Sequence, residues 1–133
     1  MDKFKNLIVL GPLIYAIHHL EEHTIFNFIE WKLQYFYHSA AALSTEAILA
    51  ILTCILVTFA LLHLVKNDRA SAHVILFMLF AIQVINAFYH IFFSFYFSDF
   101  SPGAITAALL YLPVNFLIAQ AAFREGYLKS YFE

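Results

Sequence analysis

Four apolar stretches, each about as long as a membrane-spanning helix, take up most of the chain. They lie at about residues 5–23, 45–65, 72–97 and 103–123. A helix needs about 20 mostly apolar residues to cross the hydrocarbon core of a bilayer. The 133 residues are 63% hydrophobic and 12% charged, too apolar for a water-soluble domain of this size to bury in its core. The sequence therefore predicts one integral membrane domain over residues 1–133, an all-α, four-helix transmembrane bundle.

The segment between the first two stretches, residues 24–44, is rich in aromatic residues but also carries Glu30 and Lys32. This composition is typical of a segment at the level of the lipid headgroups rather than of another span. Two roles are open for its aromatic side chains, lining an entrance for a ligand or anchoring the chain at the interface. The residues concerned are Trp31, Tyr35, Phe36 and Tyr37.

Basic residues predict the orientation, because they are enriched in cytoplasmic loops. Six of the seven fall on one side of four spans, namely Lys3, Lys5, Lys66, Arg69, Arg124 and Lys129. Both termini are therefore predicted to be cytoplasmic. No small-residue cleavage site follows the first stretch, so we expect a retained helix rather than a signal peptide. A net charge of -2 and the lack of a basic block argue against a nucleic-acid partner.

Ionisable residues converge on the outer end of these spans. The string "HHLEEH", residues 18–23, ends the first span, and Glu46 begins the second. Asn86 and His90 lie in the outer half of the third, about 10 to 17 Å from its end near Phe97. Groups distant in sequence are thus predicted to meet in one layer of the membrane.

Helical periodicity places several of these groups on one face of the first span. At about 100° per residue, Glu22 lies roughly 40° to one side of His18 and Glu21 roughly 60° to the other. Gly11 shares this face and would let a neighbouring helix approach closely. In the third span, Gln83, Asn86, His90 and Ser94 form one polar stripe.

Ionisable side chains inside a membrane cost roughly 2.5 to 3.5 kcal/mol each, so a cluster of them usually has a function. Imidazole and carboxylate are ligands for zinc, iron or manganese. We expect a single divalent ion, with candidate ligands His18, Glu22, Glu46 and His90. The candidate catalytic residues are Glu21, Glu22, Glu46 and Asn86. The candidate substrate-lining residues are Gly11, Tyr15, Gln83 and Thr106.

The favoured function is that of a small membrane enzyme acting on a lipid or another hydrophobic molecule, with membrane lipids and such a small molecule as its partners. An oligomer is compatible with this function. Two alternatives stay open. One is a metal-free acid and base enzyme, such as an isomerase or cyclase, in which neighbouring Glu and His are tuned into proton donor and acceptor. The other is a non-catalytic accessory or ligand-binding protein whose polar cluster only holds helices together.

Three segments resemble the HXXEE family of small bacterial membrane proteins: "HHLEEH", "NAFYH" at residues 86–90 and "SPGAITAALLYLPV" at residues 101–114. The naming motif corresponds to His18, Glu21 and Glu22, and the second element to Asn86 and His90. The final element corresponds to Pro102, Gly103, Thr106 and Pro113. The resemblance implies a bacterial source, and hence a bacterial inner (cytoplasmic) membrane. It also implies the membrane architecture and the location of the site, but no particular reaction.

Overall fold

The protein is described by a computed structural model over residues 3–36 and 43–128, and all regular elements in these ranges are helical. Helix α1, residues 3–25, joins Lys3–Ile8, Leu10–Leu20 and a π-helical turn, Glu21–Ile25. The others are α2 (Phe28–Tyr35), α3 (Thr45–Lys66), α4 (Arg69–Tyr96) and α5 (Ala104–Arg124). The all-α prediction is therefore confirmed for the described ranges. Tyr37, predicted to face an entrance or the interface, lies outside them.

Helices α3, α4 and α5 are each long and apolar enough to cross a membrane, with mean hydropathies of 2.7, 2.0 and 1.6. They coincide with the last three predicted spans. Their outer surfaces carry large apolar side chains, such as Phe77 and Leu109, which are 65% and 68% exposed. Such a surface suits a lipid environment and would be unfavourable in water. These three helices indicate a membrane protein.

The first predicted span, residues 5–23, is helical but interrupted at Val9, so it is not one of the three uninterrupted spanning helices. Pro12 provides the physical reason. A proline ring clashes with the carbonyl four residues earlier and has no N–H to donate to it. That carbonyl belongs to Ile8, where the first segment of α1 ends.

The long helices pack through small side chains and a few buried polar ones. Helix α1 contacts α3 and α5, and α4 contacts the same two helices. At Gly11, an added Cβ would lie 2.8 Å from Leu79 Cδ2, so glycine permits a close approach of α1 and α4. Gln83 Nε2 donates to the Gly11 carbonyl (2.8 Å), and Asn115 Nδ2 donates to Gln83 Oε1 (2.8 Å). Side-chain hydrogen bonds therefore connect α1, α4 and α5.

Three helices begin at a residue whose own side chain caps them. Asn27, Ser44 and Asp68 accept hydrogen bonds from the backbone N–H three residues later, at the starts of α2, α3 and α4. Helix α5 follows Gly103, which has no side chain to offer. The first N–H groups of α5 need an acceptor from elsewhere in the fold.

Aromatic side chains of α2 pack against the C-terminal end of α4. The Tyr35 and Phe97 rings stack with centroids 4.1 Å apart, and the Trp31 and Phe97 centroids are 6.1 Å apart. The Tyr35 hydroxyl donates to Asp99 Oδ2 at 2.6 Å. These contacts place α2 over the end of the bundle that contains His90.

Candidate metal centre

His18 and Glu22 on α1 and His90 on α4 bring their side chains together in the interior, and all three are buried. One nitrogen from each imidazole and one carboxylate oxygen lie within 4.8 Å of one another. Glu22 Oε1 is 3.1 Å from His18 Nε2, and Glu22 Oε2 is 3.4 Å from His90 Nε2. Although the oxygens are this near, neither Nε2 atom has the geometry of a hydrogen bond. The arrangement points three metal-binding groups at one small volume.

The other nitrogen of His18, Nδ1, contacts the Thr106 hydroxyl oxygen at 2.7 Å. Thr106 Oγ1 has two further partners, Glu21 Oε1 at 2.7 Å and the Gly103 carbonyl at 3.3 Å. Both of these groups only accept hydrogen bonds, so the single hydroxyl proton of Thr106 is directed at them, mainly at the nearer Glu21 Oε1. The contact with His18 is therefore donated by His18 Nδ1–H. In the neutral form of His18 the lone pair therefore lies on Nε2, the atom that faces the shared volume.

His90 is oriented in a similar way from the turn between α4 and α5. Its Nδ1 lies 2.8 Å from the Ser101 hydroxyl oxygen. The backbone N–H of Ser101 donates to Ser94 Oγ (2.9 Å), and that hydroxyl donates to the His90 carbonyl (2.6 Å). Hydrogen bonds to the second imidazole nitrogen are the usual way in which proteins orient a metal-binding histidine.

Glu21 provides the missing cap of α5. Its Oε2 accepts from the backbone N–H of Gly103 (2.9 Å) and of Ile105 (3.3 Å). Its Oε1 accepts from the N–H and the hydroxyl of Thr106, at 2.8 and 2.7 Å. A carboxylate at a helix N-terminus also interacts favourably with the helix dipole. Glu21 thus joins the end of α1 to the start of α5 and, through Thr106, orients His18.

Gly103 lies between the two imidazoles. A Cβ at this position would be 2.8 Å from Cε1 of both His18 and His90 and 3.0 Å from His90 Nε2. Its φ of +104° is also one that side-chain-bearing residues rarely adopt. Only glycine therefore fits between the rings while the turn continues into α5.

A cavity of about 610 Å³ adjoins the centre and reaches the surface between α1, α2 and α3. His18 and Glu22 form its inner polar wall, and Ile48, Leu52 and Ile82 part of its apolar wall. Lys32 and Glu46 also line the cavity, and the exposed Glu46 lies where the cavity reaches the protein surface. The volume is in the range of small-molecule sites.

Besides His18 Nε2, two buried polar atoms of cavity-lining residues lack hydrogen-bond partners within the described residues. They are the hydroxyl of Tyr111, a fully buried residue, and Oδ1 of Asn86. The Tyr111 ring lies over His18, with centroids 4.4 Å apart. Buried polar atoms rarely lack a hydrogen-bond partner, so the lack of one at these two atoms requires an explanation.

The other residues predicted to belong to the site lie in different parts of the structure. Tyr15 and Glu46 line the cavity, but Glu46 lies outside the group of three potential ligands. Gly11 and Gln83 hydrogen bond to each other between helices, and Thr106 supports His18.

Three residues of the centre were not predicted as part of the site: Ser101, Tyr111 and Gly103 in its role between the imidazoles. Ser101 and His90 are eleven residues apart across a turn, a separation for which helical periodicity makes no prediction. Tyr111 lies five residues beyond Thr106, and the π-helical turn Ala107–Tyr111 alters the face on which its side chain lies. The signal for Tyr111 was weak: one aromatic hydroxyl in an apolar helix.

Other histidines lie outside the centre. His19 and His23 form a separate pair with ring centroids 4.5 Å apart. His63 is buried near the opposite end of the fold, where its Nδ1 is 2.9 Å from Ser71 Oγ.

Comparison with known proteins adds one finding to this geometry. No curated protein and no solved structure matches the chain. A family described as proteins of unknown function with an HXXEE motif matches residues 9–118, a range that contains His18, Glu21, Glu22 and His90. Because this match covers most of the chain, the protein belongs to the HXXEE family.

Proposed function

We propose that this protein is a small integral membrane enzyme that uses one divalent metal ion to act on a lipid or another hydrophobic molecule. The observation that carries the proposal is the convergence of His18 Nε2, His90 Nε2 and the Glu22 carboxylate, beside a largely apolar cavity. Two buried imidazole nitrogens without hydrogen bonds are costly in a membrane interior, and a bound ion would remove that cost.

Two histidines and one carboxylate suit zinc, iron or manganese. Catalytic zinc sites of this composition keep a further coordination position for water or substrate. A bound ion would supply Lewis acidity, polarising a substrate oxygen or a water molecule. One ion fits better than two, because Glu21 is already engaged in four hydrogen bonds at the start of α5.

Residues other than the three metal ligands would position the site, exchange protons or contact the substrate. Glu21 holds α5 and, through Thr106, keeps the lone pair of His18 on Nε2. Glu46 lies on the outer side of the cavity, where it could exchange protons with the surrounding water. Asn86, inside the cavity, is placed to contact a bound molecule. Lateral entry from the bilayer between α2 and α3 would suit a hydrophobic substrate.

The proposed topology has four spans, with α1 as the fourth despite its break, and both termini in the cytoplasm. It is supported by basic residues at the starts of α1 and α4 and at the end of α5. In this orientation the cavity opens near the outer leaflet of a bacterial inner membrane. Membrane lipids surround the protein and are the nearest source of a substrate.

A metal-free acid and base enzyme, such as an isomerase or cyclase, is the second candidate. It is favoured by the direct approach of Glu22 to His18 (3.1 Å) and His90 (3.4 Å). A carboxyl group this close to two imidazoles could exchange protons with them and with a bound substrate.

Elemental analysis of the purified protein separates these candidates. We expect about one zinc, iron or manganese ion per chain, lost in His18→Ala and in His90→Ala. His63→Ala is the matched control, because His63 is also buried and hydrogen bonded but lies at the other end of the fold. Absence of metal from the wild type, even after supply of each ion, would reject the metal enzyme and leave acid and base chemistry.

Catalysis needs a separate test, since a metal site can also be structural. Membrane lipid extract would be incubated with the metal-loaded wild type and with Glu22→Gln, and the lipids compared by mass spectrometry. We expect a lipid species to be converted by the wild type alone. No conversion under these conditions would favour a non-catalytic accessory or ligand-binding protein.

A further inference from the structure

The string that ends α1 contains two interleaved pairs of side chains. His18 and Glu22 belong to the centre described above, whereas His19 and His23, also four residues apart, do not. We propose that His19 and His23 bind a second divalent transition-metal ion, such as zinc, at the surface of the cavity. This site is separate from the centre and does not require the proposed reaction.

The two imidazoles lie close enough together to share one ion. His19 is in the last turn of the regular α-helix and His23 in the π-helical turn that follows, and their ring centroids are 4.5 Å apart. A tetrahedral zinc ion about 2.0 to 2.1 Å from each nitrogen requires nitrogens roughly 3 to 3.5 Å apart, which rings at this separation can provide after small rotations. Two histidines four residues apart on one helix form a known zinc-binding pair.

The ring nitrogens of both residues are accessible to an ion. Neither ring forms a hydrogen bond within residues 3–36 and 43–128, and neither has a nitrogen among the buried side-chain atoms without a partner. Both side chains are partly exposed and line the cavity, and His23 also lines a second depression in the protein surface. A hydrated ion can therefore reach these nitrogens without a rearrangement of the fold.

The charges around the pair suit a cation. Glu46 lies close enough to both His19 and His23 to interact with them electrostatically, and Glu22 lies close enough to His23. The charged residues that line the cavity are Glu22, Glu46 and Lys32, one more carboxylate than ammonium. Opposite charge in a cleft raises the local concentration of an ion.

An ion at His19 and His23 would be held more weakly than one in the centre. Only two protein ligands bind it, and a cation already in the centre repels it. Water molecules complete its coordination, because Glu46 does not form with the two imidazoles a group as compact as that of the centre. The second ion is therefore expected only when metal is supplied in excess, and protein purified without added metal should contain the first ion alone.

The test is zinc binding by the untagged protein in detergent, stripped with a chelator and then titrated with Zn²⁺ against a coloured zinc chelator as competitor. The wild type should bind two ions per chain, one tightly and one more weakly. His19→Ala and His23→Ala should each keep the tight ion and bind the second at least about tenfold more weakly. Loss of an outer-shell residue of a metal site already costs about 10- to 100-fold in affinity, and these variants lose one of only two ligands.

Two further variants separate this site from the rest of the protein. His90→Ala should show the reverse pattern, losing the tight ion and keeping the weaker one. His73→Ala is the matched control and should bind both ions, because His73 is also partly exposed but does not line the cavity. Without zinc, His19→Ala and His23→Ala should have a Tm close to that of the wild type, since neither side chain is hydrogen bonded within the described residues.

Each outcome bears on the proposal. A second ion that persists in both His19→Ala and His23→Ala would overturn it, as would a wild type whose single ion is the one lost in His90→Ala. Equal loss of the second ion in His73→Ala, or a clear fall in the zinc-free Tm of both His19→Ala and His23→Ala, would also overturn it. A single ion retained in His90→Ala but lost in His19→Ala would support this site and reject the centre proposed above, so the two failures are distinguishable.

Discussion

Replacing Gly103 by alanine should damage the fold and the candidate metal centre together. The added methyl group would lie 2.8 Å from Cε1 of both His18 and His90. Carbon atoms in contact normally lie about 3.5 to 4.0 Å apart. Neither ring can easily move away, because Thr106 Oγ1 lies 2.7 Å from His18 Nδ1 and Ser101 Oγ lies 2.8 Å from His90 Nδ1.

The magnitude follows from two costs. Inserting a methyl group into a well-packed site costs about 1 to 3 kcal/mol. Holding alanine at the φ of +104° observed for Gly103 adds about 1 to 2 kcal/mol. The sum, about 2 to 5 kcal/mol, is a large part of the stability of a typical domain. At about 4 °C per kcal/mol for a chain of this size, a fall in Tm of roughly 8 to 20 °C is expected.

Two glycine controls separate these costs. Gly126 has a φ of +87° and follows α5 at its other end, so Gly126→Ala reports the backbone cost away from the centre. In Gly11→Ala, the new Cβ would meet Leu79 Cδ2 at 2.8 Å, the end of a flexible side chain that can rotate away. Both controls should lose less stability than Gly103→Ala and should retain bound metal.

The assay is thermal unfolding in detergent together with metal content. Gly103→Ala should have the lowest Tm of the three variants and contain less metal than the wild type. If Gly103→Ala unfolds at the same temperature as Gly126→Ala and binds metal normally, the imidazoles are not packed against Gly103 and the argument for the site geometry fails.

Two further predictions concern hydrogen bonds between helices. Glu21→Gln should lower Tm, because an amide N–H group would replace one of the two carboxylate oxygens that accept hydrogen bonds from N–H groups at the start of α5. An unchanged Tm would argue against capping of α5 by Glu21. The Tyr35 hydroxyl bond to Asp99, helped by burial, raises the pKa of Tyr35 above its ordinary value of 10.0. A raised folded-state pKa contributes stability that is complete below pH 10 and lost as the pH rises through the folded-state value. Thermal unfolding should therefore show a larger loss of Tm above pH 10 for the wild type than for Tyr35→Phe, and equal losses would contradict this assignment.

The positions of the long helices could be predicted from the sequence because they follow from chain composition. A chain that crosses a bilayer must satisfy its backbone hydrogen bonds internally, so an apolar stretch of about 20 residues becomes a helix. Three of the predicted stretches coincide with α3, α4 and α5. The break at Val9 could have been anticipated from Pro12, but the prediction treated residues 5–23 as continuous.

Part of the candidate centre was also accessible from the sequence. The spacing of His18 and Glu22 places them on one helical face, and depth arguments placed His90 in the same layer. The structure brings these three side chains together. Periodicity treated Glu21 as equivalent to Glu22, whereas Glu21 turns to the start of α5 and Glu22 to the imidazoles.

By itself, the sequence determined that the protein is helical and suited to a membrane, and that histidines and glutamates lie near one end of its spans. These properties depend on composition and local periodicity. Only the tertiary structure decided which carboxylate faces the histidines, which nitrogen of His18 holds its lone pair, and why Gly103 lies between the rings. Those properties arise where α1, α4 and α5 meet, because each depends on distances between residues far apart in the chain.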